Sequence, residues 1–298
     1  MDNRRRFEKI EFYITNVCNL TCDNCNRFNN YKFSGWQNWN DYKDHYKFWS
    51  TKLKFDHITI LGGEPLLNPT ICDWVRGINL LWETPVQILT NGTRLNQVKG
   101  LYDVLTRTAV GGNWIGVSLH NVDEFAGFEK EVYKFLKGRI TKIDKSGDES
   151  SKFAKFYYEY VDTNNARISV YCQDTFVNAS LFETQPGKFG LHNNDPVQAH
   201  SVCGFAKHKN YHFIKGKFYK CGPVALLPEF DQQFAIELLE EDRALLSAYQ
   251  PLTPDTYDLC SEDFFNNLDN HLPQCKFCPT QFTAKKIFPI SKEFSLEK

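Results

Sequence analysis

Three cysteines, Cys18, Cys22 and Cys25, stand as C-x3-C-x2-C within Val17-Cys18-Asn19-Leu20-Thr21-Cys22-Asp23-Asn24-Cys25. Thiolates this close together can occupy three corners of an iron–sulfur cubane. A 4Fe-4S cluster usually takes four protein ligands, so three leave one iron open to a small molecule. The other use of such a triad is a zinc knuckle whose fourth ligand would be His45 or His57. A second signal is Leu61-Gly62-Gly63-Glu64-Pro65. Its glycines let the backbone approach a ligand, Glu64 offers a carboxylate to an ammonium, and Pro65 ends a strand. The same residues also read as an ordinary strand-ending turn.

Cys203 and Cys221 flank Gly216, and Cys275-Lys276-Phe277-Cys278-Pro279 follows much later. A hairpin at Gly216 would bring the first pair within reach of each other, and the C-x2-C turn supplies two adjacent ligands. Together they fit a closed cubane or a tetrahedral structural zinc site. Cys260 is either a substitute ligand or a bystander. Cys72 and Cys172 fall in an expected helix and strand, where buried free cysteine is the commoner use.

The chain that must position these groups has 298 residues, 42% hydrophobic and 24% charged, with 25 Phe, 14 Tyr and 6 Trp. That is globular composition, sufficient for a principal domain with an appendage. The formal charge of -1 gives no broad attraction to nucleic acid, which is not the expected partner. No apolar run has the length of a membrane span, and Arg4, Arg5 and Arg6 are not followed by the apolar stretch of a secretory signal. A cytoplasmic protein is expected, in which ten cysteines serve metal or catalysis rather than disulfides.

Residues 10–15, 57–61, 86–90 and 114–119 are short, apolar and often β-branched, as buried parallel strands are. Between them 39–51, 70–81 and 95–106 have helical lengths. From Asp123 a helix would place Phe125, Phe128, Val132, Phe135 and Leu136 on one face. Repeated βα units imply a parallel sheet or an open barrel. The aromatic stretch 36–49 reads as a packed helix face. Residues 139–152 are expected as an exposed connection, followed by strands at 153–161 and 168–172. Beyond Leu191 the pattern changes, with a hairpin over 211–220 turning at Lys215-Gly216 and a helix over 234–248. The expected division is 1–190 and a small second domain, 191–298.

Taken together, the cysteine loop and the Gly-Gly-Glu segment resemble the radical S-adenosylmethionine superfamily. The resemblance implies an α/β fold, a partial (β/α)6 TIM-like barrel. Cys18, Cys22 and Cys25 would hold the catalytic 4Fe-4S cluster, and S-adenosylmethionine would chelate its open iron through amino and carboxylate groups. Gly62, Gly63, Glu64 and Pro65 would position the amino group. Asn91, in Thr90-Asn91-Gly92-Thr93, and Ser118, in Val117-Ser118-Leu119, would lie near the carboxylate and ribose, although Asn-Gly is also a common turn and Ser118 can cap a helix. Asn24 departs from the aromatic residue that many members carry near adenine. Cys203, Cys221, Cys275 and Cys278 resemble the Twitch extension, a shortened relative of the SPASM domain, with one auxiliary 4Fe-4S cluster; structural zinc is the alternative.

The implied chemistry is reductive cleavage to a 5′-deoxyadenosyl radical, fed by a one-electron donor such as flavodoxin or ferredoxin. The expected outcome is net oxidation of a small molecule or a peptidyl side chain. The alternative is maturation of a partner-delivered peptide, and the rival class is a non-catalytic iron–sulfur or zinc module. Seventeen residues before Cys18 leave no room for a fused leader-binding domain, and 295–298 lack the Gly-Gly tail of the molybdopterin-precursor enzyme. His120, Glu183, Asp195, His200 and His212 lie near expected strand ends or the domain junction, with none singled out as acid or base.

Overall fold

The computed structural model describes residues 3–108, 110–148, 154–177, 179–281 and, as backbone, 284–286. Residue 153 and the tail 295–298 considered above lie outside them. The first half alternates strand and helix: β1 (Arg5–Tyr13), α1 (Trp39–Lys52), β2 (Leu53–Leu61), α2 (Ile71–Trp82), β3 (Val86–Thr90), α3 (Leu101–Thr106), β4 (Trp114–Leu119) and α4 (Phe125–Phe135). Strands β5 (Ile140–Asp144), β6 (Tyr157–Asp162) and β7 (Arg167–Cys172) follow. Short strands β8 (Thr175–Val177), β9 (Leu181–Gln185) and β10 (Lys188–Leu191) lead to α5 (Pro196–Ser201) and α6 (Gly204–Lys207). The hairpin β11 (His212–Ile214) and β12 (Lys217–Tyr219) precedes α7 (Gly222–Phe234), α8 (Glu240–Ser247), α9 (Tyr257–Asn266) and β13 (Ala284–Lys286).

Nine strands form one sheet in the order β12-β11-β1-β2-β3-β4-β7-β6-β5. The run from β11 to β7 is parallel throughout, and β12, β6 and β5 are antiparallel to their neighbours. Parallel strands need both faces covered. Accordingly Ile10, Phe12, Ile58, Ile60, Ile88, Ile115 and Val117 are fully buried. Helix α2 turns Ile71, Trp74, Val75, Ile78 and Trp82 inward at helical spacing and leaves Leu80 81% exposed on its far side. Tyr46 and Trp49 of α1 do the same. Phe12 of β1 meets the rings of Tyr46, Trp74, Trp82 and Phe213 at 5.1–6.4 Å. The aromatic stretch is therefore packed core, and each such fully buried ring contributes roughly 1.5–3 kcal/mol.

Several sequence expectations need correction. The stretch 95–106 is helical only from Leu101, because Gly100 takes φ 82° just before it. Residues 139–152 contain a strand, β5, at the sheet edge. Its side chains are mostly exposed, which made it read as a connection. The expected helix 234–248 starts only at Glu240. Ala235 adopts φ 53° and closes α7, while Asp231 accepts a hydrogen bond from the backbone of Ile236 at 2.7 Å. The hairpin turns where expected, with Lys215 and Gly216 both at positive φ, 50° and 71°. It belongs to the main sheet, since β11 pairs with β1 through Glu11 opposite His212 and Phe12 opposite Phe213.

Candidate active site

The carboxyl ends of parallel strands are where α/β sheets place ligands, and a cavity of about 440 Å³ opens there. Cys18, Cys22 and Cys25, in the loop after β1, line it. That loop is held by the turn after β2. Gly63 donates its backbone N–H to Thr15 at 2.7 Å, and Glu64 donates its own to Val17 at 2.8 Å. A Cβ on Gly62 would stand 2.5 Å from the Thr15 carbonyl, and one on Gly63 would stand 2.4 Å from that of Val17 and 3.0 Å from the Cβ of Cys18. The close approach that the glycines permit is thus to the cysteine loop itself. Asn24, between the second and third cysteines, has φ 58°. Asparagine tolerates this left-handed backbone better than an aromatic residue does.

The Glu64 carboxylate, which the sequence reading offers to an ammonium, is already engaged by the protein. It is fully buried and accepts hydrogen bonds from the hydroxyl of Thr90 at 2.6 Å, the backbone N–H of Asn91 at 2.7 Å and that of Leu66 at 2.9 Å. Burial raises its pKa to about 7, against these three donors, which favour the ionised form. Pro65 is likewise buried, at the first position of a single 3-10 turn. Gly62, Gly63, Asn91 and Ser118 do line the cavity. The Asn91 amide donates to Asn19 at 3.0 Å and so ties β3 to the cysteine loop, and Ser118 donates to the Tyr171 hydroxyl.

Cys203, Cys221, Cys275 and Cys278 all line a second, small cavity of about 30 Å³. It shares Cys203, Cys278, Ala199, Phe205 and Pro223 with the large one, so the two spaces abut. Cys203 and Cys221 immediately precede α6 and α7, while Cys275 and Cys278 lie in and just after a 3-10 turn. Burial, reinforced by the neighbouring thiols, pushes Cys278 up to about 12 and Cys221 well above the usual thiol range. Such thiols deprotonate only beside compensating positive charge, as a metal or cluster provides. Among the described residues, no three His, Cys, Asp or Glu side chains group as a site for a single metal ion. Cys260 is exposed and lines neither cavity.

Two features of the wall were not singled out in the sequence. Glu11 of β1 lies 2.7 Å from Arg27 and 2.8 Å from the Nε2 of His212. Burial alone would raise the Glu11 carboxyl, but these two neighbours hold it down at about 2. The Nη1 of Arg27 is buried without a hydrogen-bond partner, 3.0 Å from where a Cβ on Gly222 would sit, next to Cys221. His120 also lines the cavity, its Nδ1 3.0 Å from the carbonyl oxygen of Gln173. Of the other polar candidates, Asp195 caps α5 and Glu183 accepts from the backbone of Gly187 in an exposed hairpin, while His200, whose Nε2 is buried without a hydrogen-bond partner among the described residues, is outside the lining of the large cavity.

The family model described as Radical SAM superfamily matches residues 12–146. This span contains the cysteine triad, the glycine turn, Asn91, Ser118 and His120. No curated protein matches the chain. The match supports an enzyme that uses a 4Fe-4S cluster and S-adenosylmethionine and starts radical chemistry by reductive cleavage. Among the described residues, no helix is long and apolar enough to cross a membrane.

Proposed function

We propose that this chain is a radical S-adenosylmethionine enzyme that removes hydrogen from a substrate carbon and completes a net oxidation with help from an auxiliary 4Fe-4S cluster. One observation carries the reading: the first cysteine set and two members of the second, Cys203 and Cys278, border a single cavity at the carboxyl end of a parallel sheet. When bound, the cluster at Cys18, Cys22 and Cys25 together with S-adenosylmethionine would supply the 5′-deoxyadenosyl radical. Gly62 and Gly63 hold the cysteine loop against β2, and Asn91 and Ser118 offer polar contacts for the carboxylate and ribose. Glu64 acts from behind, fixing the backbone of Asn91. A carbon radical reacts with substrate alone only where bound substrate and S-adenosylmethionine displace water from the cavity.

Cys203, Cys221, Cys275 and Cys278 are assigned to the auxiliary cluster rather than to zinc. All four line one small cavity, and the buried Nη1–H of Arg27, without a hydrogen-bond partner among the described residues, can donate to a cluster sulfur. Residues 191–298 then form a Twitch-like part whose β11–β12 hairpin extends the sheet of a partial (β/α)6 barrel built mainly from 1–190. A flavodoxin- or ferredoxin-type donor would deliver the electron, and the setting would be cytoplasmic.

The test is anaerobic reconstitution with iron and sulfide, reduction, and chromatography of 5′-deoxyadenosine. Cys22→Ala should abolish cleavage of S-adenosylmethionine. Cys275→Ala should keep part of it while losing roughly half of the bound iron. A protein that takes up only zinc and yields no 5′-deoxyadenosine would exclude the reading.

A further inference from the structure

Arg27 follows Cys25 by two residues, and its side chain is only 11% exposed. Its Nη2 donates to Glu11 at 2.7 Å, and the guanidinium lies 5.1 Å over the ring of Phe205, which follows Cys203 by two residues. Nη1 turns instead toward Gly222, the residue after Cys221. Among the described residues it has no hydrogen-bond partner, and it is sealed from solvent, so it does not face the open cavity. A Cβ on Gly222 would meet Nη1 at 3.0 Å and the Nε2 of His212 at 3.4 Å. Gly222 does not take the positive φ that favours glycine. What its missing side chain supplies is room for the guanidinium beside the second cysteine set.

A buried donor is costly when nothing accepts from it, and the acceptors that a cluster at this set would bring are thiolate and sulfide sulfurs. Charge points the same way. Glu11 pairs with the guanidinium on its Nη2 side, which leaves the positive end of the pair toward Cys221. Cys221 also immediately precedes α7, a helix of 13 residues with no acidic side chain in its first turn, whose positive end adds to the same field. A 4Fe-4S cluster gains a negative charge on reduction, so positive charge nearby and N–H donors to its sulfurs favour the reduced state.

We propose that Arg27 is a positioning residue through which the loop of the first cysteine set raises the reduction potential of the cluster at the second. This rests on the assignment of Cys203, Cys221, Cys275 and Cys278 to an auxiliary cluster. One side chain then links the two sites, with its backbone in the loop that carries Cys25 and its guanidinium against the turn that carries Cys221.

The experiment is a redox titration of the full-length, reconstituted holoprotein with dithionite and mediators, read by electron paramagnetic resonance. The signal that Cys275→Ala removes belongs to the second set. The double variant Glu11→Gln with Arg27→Gln exchanges the ion pair for two amides and leaves no unpaired buried charge. At the wild-type midpoint its oxidised-to-reduced ratio for that signal should rise about tenfold, a midpoint ~59 mV lower. Arg27→Lys keeps the charge and should stay within about threefold of wild type. A role confined to holding the fold would change iron content but not the ratio in molecules that keep their cluster. Equal ratios in wild type and the double variant, with iron retained, would therefore overturn the proposal, as would a lysine variant that shifts as far as the double one. Gly222→Ala removes no charge and only crowds the guanidinium, and it should raise the ratio about threefold. An unmoved ratio there overturns the proposal even where the double variant loses its iron. If Cys275→Ala removes no signal, the auxiliary-cluster assignment falls and the proposal with it.

Discussion

Gly63 shows how one missing methyl group can govern a metal site. Its backbone passes so close to Val17 and Cys18 that an added Cβ would lie 2.4 Å from a carbonyl oxygen, and backbone cannot swing aside as a side-chain tip can. Overpacking of this kind costs about 1–3 kcal/mol. Here the strain would fall on the loop that carries the first cysteine set. Gly63→Ala should therefore lower bound iron by roughly half and 5′-deoxyadenosine formation by roughly 10²-fold, read by iron assay and chromatography. The control is Gly127→Ala in α4, where nothing lies within 4 Å of the new methyl and both readouts should stay unchanged. The glycine pair and the triad Cys18, Cys22 and Cys25 were legible because their chemistry is written in local spacing. His120 was visible only as a polar residue at a strand end, since its tautomer is set by Gln173, which is 53 residues further on.

Between elements, Glu64 is the brace. From the turn after β2 its carboxylate reaches Thr90 and Asn91 at the end of β3 and holds two strand ends in register below the cavity. Because the native pKa is raised to about 7, above the ordinary 4.5, the folded state binds the proton more tightly than the unfolded chain. Stability from this group is thus fully present below the ordinary carboxylate value and is lost as pH rises through about 7. The loss is on the order of 3 kcal/mol at most. Urea midpoints at pH 5 and pH 8 should fall more steeply for wild type than for Glu64→Gln, whose amide does not titrate. Parallel pH slopes would show that Glu64 keeps one protonation state throughout.

Other elements escaped the sequence for nameable reasons. Helix α7 opens with Gly222-Pro223 and contains Pro228, residues that read as breakers although proline suits a first turn. Strand β5 carries almost no apolar face. The local Lys215-Gly216 turn was plain, but the pairing of its hairpin with β1 joins segments some 200 residues apart in register His212 to Glu11, and no periodicity encodes that.

That pairing bears on how the chain folds. The second cysteine set lies wholly beyond residue 191, yet β11 from this segment flanks β1 at the start of the chain. Phe213 packs against Phe12, Tyr46, Trp49 and Phe55, and Phe218 packs against Phe7. His212 also completes the neighbours of Glu11. Removing two fully buried phenylalanines alone would forfeit roughly 3–6 kcal/mol, a large share of the ~5–15 kcal/mol that separates a folded domain from its unfolded state. The unpaired side of β1 would then stand open as a sheet edge, which invites association. A fragment of residues 1–190 should therefore lack the near-ultraviolet circular dichroism of the full chain and be cut by protease within β1 and α1 while the full chain resists. If the fragment instead keeps native near-ultraviolet signal and resists cleavage there, the first 190 residues are a folding domain in their own right and the aromatic junction is only a docking surface.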